Sequence, residues 1–156
     1  MTIAPVRRAV RTRAAPARAF EIFTSQMGLW WPKGRTVGAK PHEALVIEPG
    51  VGGRWFERDA DGVETLWGKV LEWAPPTRLV LAWQFDADHR YDPDLITEVE
   101  IVFTPAPGGG TEVVLEHRNL ERFRKDADVW AGSIARGWTE MMDIFAAFAN
   151  RPDDTT

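Results

Sequence analysis

Chemistry in this chain would have to come from few residues. There is no Cys, which excludes disulfides, thiolate metal sites and a Cys nucleophile. The histidines His42, His89 and His117 stand at no metal-ligand spacing, so no metal is expected. His42 and His89 fall in segments that read as loops. His117 ends an alternating run, in phase with Val113 and Leu115, on the face that should turn inward. An imidazole there suits general acid–base work near neutral pH. No partner for it is identifiable, and a structural His satisfying a carbonyl or carboxylate is the stronger reading. Glu57 has the parity of Trp55 and is the carboxylate placed to reach the interior, paired with Arg54 or Arg78; a solvated strand face competes and is favoured. His117 and Glu57 are therefore weak catalytic candidates. Ser25 and Ser133 have no neighbouring His and no nucleophile-elbow pattern. The runs Gly52-Gly53 and Gly108-Gly109-Gly110 do not open a helix after a strand, so they are turns rather than phosphate loops.

The aromatic residues are the richer signal. Eight Trp and eight Phe stand against one Tyr. Each Trp supplies a large apolar surface with one N–H to satisfy. Trp55, Trp83 and Trp138 fall on predicted inner surfaces, with Trp31 and Phe20 near the mouth of whatever they enclose. Such a set either fills a core or lines a pocket for an apolar or aromatic molecule.

The elements that must position these residues follow from periodicity. Trp130, Ile134, Trp138, Met141, Phe145 and Phe148 fall within an arc of about 80° on one helix. Gly137 sits beside Trp138 and removes a side chain where bulk is dense. Before this helix the chain reads almost entirely as strands. Residues 3–13 form a first strand, and Pro16 opens a short helix running to about Ser25. A second short helix from Met27 stops at Pro32. Strands are expected over 44–48, 54–58, 63–73, 78–85, 96–104 and 111–117, joined by tight turns such as Asp59-Ala60-Asp61-Gly62. Asp126 or Asp128 would cap the final helix. Strand 63–73 carries Trp67, Leu71 and Trp73 on one parity and Gly68 and Val70 on the other, so its inward face stays open, with a bulge at Gly68 as one solution. The fold class is α+β: a curved antiparallel sheet of about seven strands gripping a long C-terminal helix, with two short helices after strand 1.

The pieces Trp31-Pro32, Gly52-Gly53-Arg54-Trp55, Trp67-Gly68-Lys69-Val70, Pro75-Pro76-Thr77-Arg78-Leu79, Trp83, Gly110-Thr111-Glu112-Val113, His117 and Gly137-Trp138 span residues 3–149 in order. In this order and spacing the chain resembles the SRPBCC or START-like (helix-grip) superfamily, which includes START lipid-transfer domains and the birch-pollen allergen. Within it, the chain resembles the family homologous to the C-terminal domain of the activator of heat-shock protein 90 ATPase. The resemblance implies a single helix-grip domain over 1–151 and a cavity between sheet and helix. It implies a small hydrophobic, lipid or aromatic ligand, with Phe20, Trp31, Trp55, Trp67, Trp83, His117, Gly137, Trp138 and Met141 as binding residues. It also implies two alternatives: a chaperone-associated, stress-response module, and a cyclase- or hydrolase-type enzyme using the same cavity. Eukaryotic activators carry a further amino-terminal module for which this chain has no room, so the family name is not read as an activity. An enzyme is the less favoured reading, and no cofactor is expected.

Composition bounds the rest. The chain has 156 residues, net charge −4 and interspersed charges, with no basic stripe for nucleic acid. Arg7, Arg8, Arg11, Arg13 and Arg18 read as a solvated strand face and helix start. No secretory h-region and no apolar run of membrane length occur, so a cytoplasmic protein, monomeric or homodimeric, is expected. Residues 152–156 are expected to be a disordered tail.

Overall fold

A computed structural model describes residues 2–152; the tail expectation lies, from residue 153 on, outside the described residues. The chain runs β1 (Val6–Thr12), α1 (Pro16–Thr24), α2 (Met27–Trp30), β2 (His42–Ile47), β3 (Arg54–Asp59), β4 (Glu64–Ala74), β5 (Arg78–Trp83), β6 (Thr97–Pro105), β7 (Thr111–Arg118), a 3₁₀ turn (Leu120–Arg122) and α3 (Ala127–Ala149). The strands form one antiparallel sheet in the order β1-β7-β6-β5-β4-β3-β2. Its hairpins require no crossover except β1, which reaches β7 across the sheet with Val6 opposite His117 and Thr12 opposite Thr111.

Alternation decides which face is covered. Leu79, Leu81, Val99, Ile101, Phe103, Val113 and Leu115 are all buried. The intervening residues of β6 and β7 carry an ion-pair network on the other face. There Arg118 contacts Glu98 at 3.0 Å and Glu100 at 2.8 Å, and Arg78 contacts Glu100 at 2.6 Å and also Glu72. α3 lies on the inner face. Its stripe residues Ile134, Trp138, Met141 and Phe145 are buried, and Phe145 meets Phe23 and Trp30 edge-on, each at 5.3 Å. Burying a side chain of this size contributes about 1.5–3 kcal/mol, so the α1–α2–α3 contact closes one end of the fold firmly.

The open question about β4 resolves into two bulges. The register skips Trp67 against β3 and Leu71 against β5. The first keeps Trp67 on the same side as Gly68, and the second shifts the phase so that Val70 and Trp73 both face inward. Gly68 is required by close approach: a Cβ there would sit 1.7 Å from the Ala82 carbonyl oxygen.

Several boundaries differ from expectation. β5 ends at Trp83, and Phe85 instead bridges Tyr91. β2 begins at His42, which is a fully buried strand residue and not a loop residue. Asp126 stands at the N-cap of α3 with φ +49°, but no side chain caps the helix. Arg54 pairs with Glu48 and Glu64, and Arg78 with Glu72 and Glu100, so neither pairs with Glu57. No described helix is long and apolar enough to cross a membrane.

Candidate functional site

Between α3 and the sheet lies a cavity of about 230 Å³. α3 contributes Trp130, Ser133, Ile134, Gly137, Trp138 and Met141. The sheet contributes Trp67 and Trp83, the β5–β6 connection Phe85 and His89, and the segment before β2 Trp31 and Gly34–Val37. Six of the fifteen lining residues are Trp or Phe. Trp31 meets Trp67 at 5.3 Å and Trp138 at 5.8 Å, Trp83 meets Trp138 at 5.8 Å, and Phe85 stacks on Trp83 at 4.4 Å. Gly137 opens the helix side, where an added Cβ would meet nothing within 4 Å.

The indole N–H groups of the inner wall are already used. Trp31 Nε1 donates to the Arg35 carbonyl at 3.0 Å, and Trp83 Nε1 to the Phe85 carbonyl at 3.0 Å. Trp67 Nε1 donates to Glu57 Oε1 at 2.7 Å, and Trp138 Nε1 to His117 Nδ1 at 3.1 Å. Of the five cavity indoles only Trp130 Nε1, at the start of α3, is buried without a partner, so the cavity offers mainly ring surface.

His117 is fully buried and belongs to a closed chain of bonds. Because Trp138 donates to Nδ1, the ring proton sits on Nε2, which donates to Thr97 Oγ1 at 2.8 Å; Thr97 in turn donates to the Trp83 carbonyl at 3.0 Å. Burial drives its pKa from 6.5 down to about 3. A proton added at Nδ1 would face the indole N–H, so this ring stays neutral and holds two cavity tryptophans in place.

Glu57 is also buried, and it anchors the segment before β2. Its Oε1 accepts from Val37 N at 2.6 Å and from Trp67 Nε1, while Oε2 accepts from Gly38 N at 3.1 Å and from the Thr36 hydroxyl. A carboxylate can accept about four such bonds, so Glu57 is saturated. It ties residues 36–38 as a strap against the rim, and Arg35 extends the strap to α3 through an ion pair with Glu140. His42 lies behind this region with neither ring nitrogen bonded, and burial holds its pKa below 6.5 against the opposing pull of Glu57.

Residues 13–150 match the family described as Activator of Hsp90 ATPase homolog 1-like protein. The chain belongs to this family. Its fold is close to that of an anthrahydroquino-γ-pyrone synthase, at 37% identity and TM-score 0.67, covering 94% of this chain and 97% of the other. It is also similar to CalC, a self-sacrificing resistance protein from Micromonospora echinospora, at 26% identity and TM-score 0.71, covering 97% of each chain. The Aha1 dimer from Colwellia psychrerythraea shares the fold at 15% identity and TM-score 0.64, covering 92% of this chain and 94% of that one. No curated protein matches the chain.

In this Hsp90-activator-like chain, Trp31, Trp67, Trp83, Gly137, Trp138 and Met141 line the cavity. Phe20, Trp55 and His117 do not. Phe20 packs on Trp73 at 5.1 Å and Phe103 at 5.2 Å, in the closed end of the core. Trp55 lies behind Trp67 and Trp83, at 5.3 and 5.9 Å. His117 lies behind Trp83 and Trp138, at 5.0 and 6.3 Å. The strap, Phe85, His89 and Ser133 were missed as lining residues. Trp130 and Ile134 were visible on the helical stripe. The strap's only sequence signal was the inward parity of its anchor, Glu57. Among the described residues, no group of three or more His, Asp or Glu could hold a metal.

Proposed function

We propose that the protein binds a planar aromatic small molecule in the cavity between the sheet and α3. The observation that carries this reading is the wall itself. Trp31, Trp67, Trp83 and Trp138 present ring surface around space left open at Gly137, with their N–H groups satisfied elsewhere. At about 230 Å³ the cavity is a little below the range of about 300–1,000 Å³ usual for ligand pockets. It suits one or two fused rings, with the remainder of a larger ligand at the mouth. The 37%-identical relative, an anthrahydroquino-γ-pyrone synthase, supports a fused aromatic ligand.

Titration with a dihydroxyanthraquinone should quench intrinsic Trp fluorescence saturably, since five of the eight tryptophans line the cavity. Absence of saturable quenching, together with a crystal structure showing the cavity filled by side chains, would refute the reading.

A second reading, an enzyme acting on the bound ring system, is favoured by the synthase name of the same relative. Its acid–base group would be His89, at the rim, because His117 and Glu57 are committed behind the wall. Turnover of a polyketide-like quinone that survives His89→Ala would exclude that assignment. The chaperone-associated reading has the family name in its support. The large exposed apolar residues are spread over α2, two hairpin turns, the β5–β6 connection and the start of α3 (Leu29, Val51, Val63, Tyr91 and Val129).

A further inference from the structure

We infer that the cavity selects an aromatic anion, and that Arg35 holds the anionic oxygens at the mouth in exchange for Glu140. The inference rests on the cavity being a binding site and adds the charge of what it binds. Three observations lead to it. The protein carries 23 acidic residues and a net charge of −4, yet no acidic residue lines the cavity. The ionisable residues that do line it are Arg35 and His89, both at the rim. Four of the five cavity indoles donate to protein acceptors, and the fifth, Trp130 Nε1, is unpartnered beside His89, so an oxygen-bearing end of a ligand finds its donors on the side of His89 and Arg35. Of these groups Arg35 carries the fixed positive charge, and an anionic end is drawn to it.

Arg35 is built to receive it. Its backbone carbonyl is fixed by Trp31 Nε1, and the neighbouring residues 36–38 are fixed by Glu57. The guanidinium bridges from the strap to Glu140, three residues beyond Gly137 on α3. Glu140 engages Nη2 through one oxygen, and a planar, two-oxygen acceptor in its place could take two donors of the fork. Both partners are about half exposed (54% and 47%), so the pair is weak and exchangeable. Glu140 therefore competes with a ligand carboxylate for the same guanidinium.

The test compares 2-naphthoate with its neutral analogue 2-naphthamide by fluorescence titration or calorimetry, with each variant first checked for native unfolding behaviour. The native protein should bind the anion at least ten-fold more tightly, with the preference shrinking as salt is raised. Arg35→Gln should abolish the preference while leaving 2-naphthamide affinity unchanged within two- to three-fold. Glu140→Gln, by removing the internal competitor, should tighten 2-naphthoate several-fold and leave 2-naphthamide alone. Equal binding of the two probes to the native protein, or weaker 2-naphthoate binding by Glu140→Gln, would overturn this inference and leave the cavity reading standing. Binding of neither probe would overturn both.

Discussion

Replacing Gly137 with Leu separates an open cavity from a packed core, because the two predict opposite signs. A glycine inside a helix costs roughly 0.5–1 kcal/mol relative to Ala, and Leu is nearly as good a helix former. A Cβ at residue 137 meets nothing within 4 Å, so that gain is not offset by a clash. Full burial of a Leu side chain is worth about 1.5–3 kcal/mol. Covered on one side by Trp138 and the cavity wall, it should realise about 1 kcal/mol of that. The sum is a stabilisation of roughly 1–2 kcal/mol. At about 2–4 °C per kcal/mol for a chain of this size, Tm should rise by roughly 2–8 °C.

The same side chain occupies the space a ligand needs. Dihydroxyanthraquinone affinity should fall at least ten-fold, or about 1.4 kcal/mol. Gly137→Ala is the control: it carries the helix gain with little filling, so Tm should rise while affinity stays within two- to three-fold. Thermal unfolding followed by far-UV circular dichroism, with ligand titration on the same samples, reads both quantities. A destabilisation of about 1–3 kcal/mol by Gly137→Leu, the signature of overpacking, combined with unchanged binding would show that the space beside Trp138 is not a site.

Three further substitutions test the supports of the cavity. Glu57→Gln keeps one acceptor oxygen but turns an amide NH₂ toward the strap's own N–H donors. It should lower stability by roughly 2–4 kcal/mol in urea titrations and speed hydrogen exchange at residues 36–38; unchanged exchange there would refute the anchoring role. His117 is neutral in the fold, with its pKa lowered from 6.5 to about 3 by burial, and protonates near 6.5 when unfolded. Its contribution is thus complete above pH 6.5 and is lost as pH falls toward 3, at up to about 1.4 kcal/mol per pH unit. His117→Gln can reproduce both bonds without titrating, so urea midpoints measured between pH 7.5 and about 4.5 should fall less steeply than in the native protein; parallel slopes would contradict the assignment. Gly68→Ala forces a Cβ against the Ala82 carbonyl, at 1.7 Å before relaxation, and should cost roughly 3 kcal/mol or more. A native-like Tm for that variant would mean that β4 and β5 pair differently.

Much of this fold was legible because its elements carry undisturbed periods. β6 and β7 alternate cleanly, β5 is a short apolar run buried on both faces, and the stripe from Trp130 to Phe148 holds a helical period through six large side chains. β4 was not legible, because bulges at Trp67 and Leu71 each break the period of two. His42 was misplaced because a strand start following Pro41 carries no alternating pattern of its own. The site divides the same way. Residues on regular elements, such as Trp83, Gly137 and Trp138, could be assigned to the interior from parity alone. The strap could not, because its bonds run to Glu57, about twenty residues away, and backbone amides leave no trace in the choice of side chain.

The bonding of the tryptophans shows how so aromatic a lining is reconciled with a stable fold. A buried N–H without a partner costs about 1–3 kcal/mol, and an inner wall of four unsatisfied indoles would be a heavy burden for a domain this small. Here each indole of the inner wall instead ties one wall to another part of the structure. Trp31 fixes the strap, Trp67 reaches the carboxylate that anchors it, Trp83 folds the β5–β6 connection back on itself, and Trp138 joins α3 to β7 through His117. Four of the five cavity indoles are thus spent on holding the cavity's shape, and Trp130 Nε1 is the one left without a partner. Discrimination inside must therefore come from ring size and stacking, and discrimination by charge is left to the rim, where Arg35 and His89 stand.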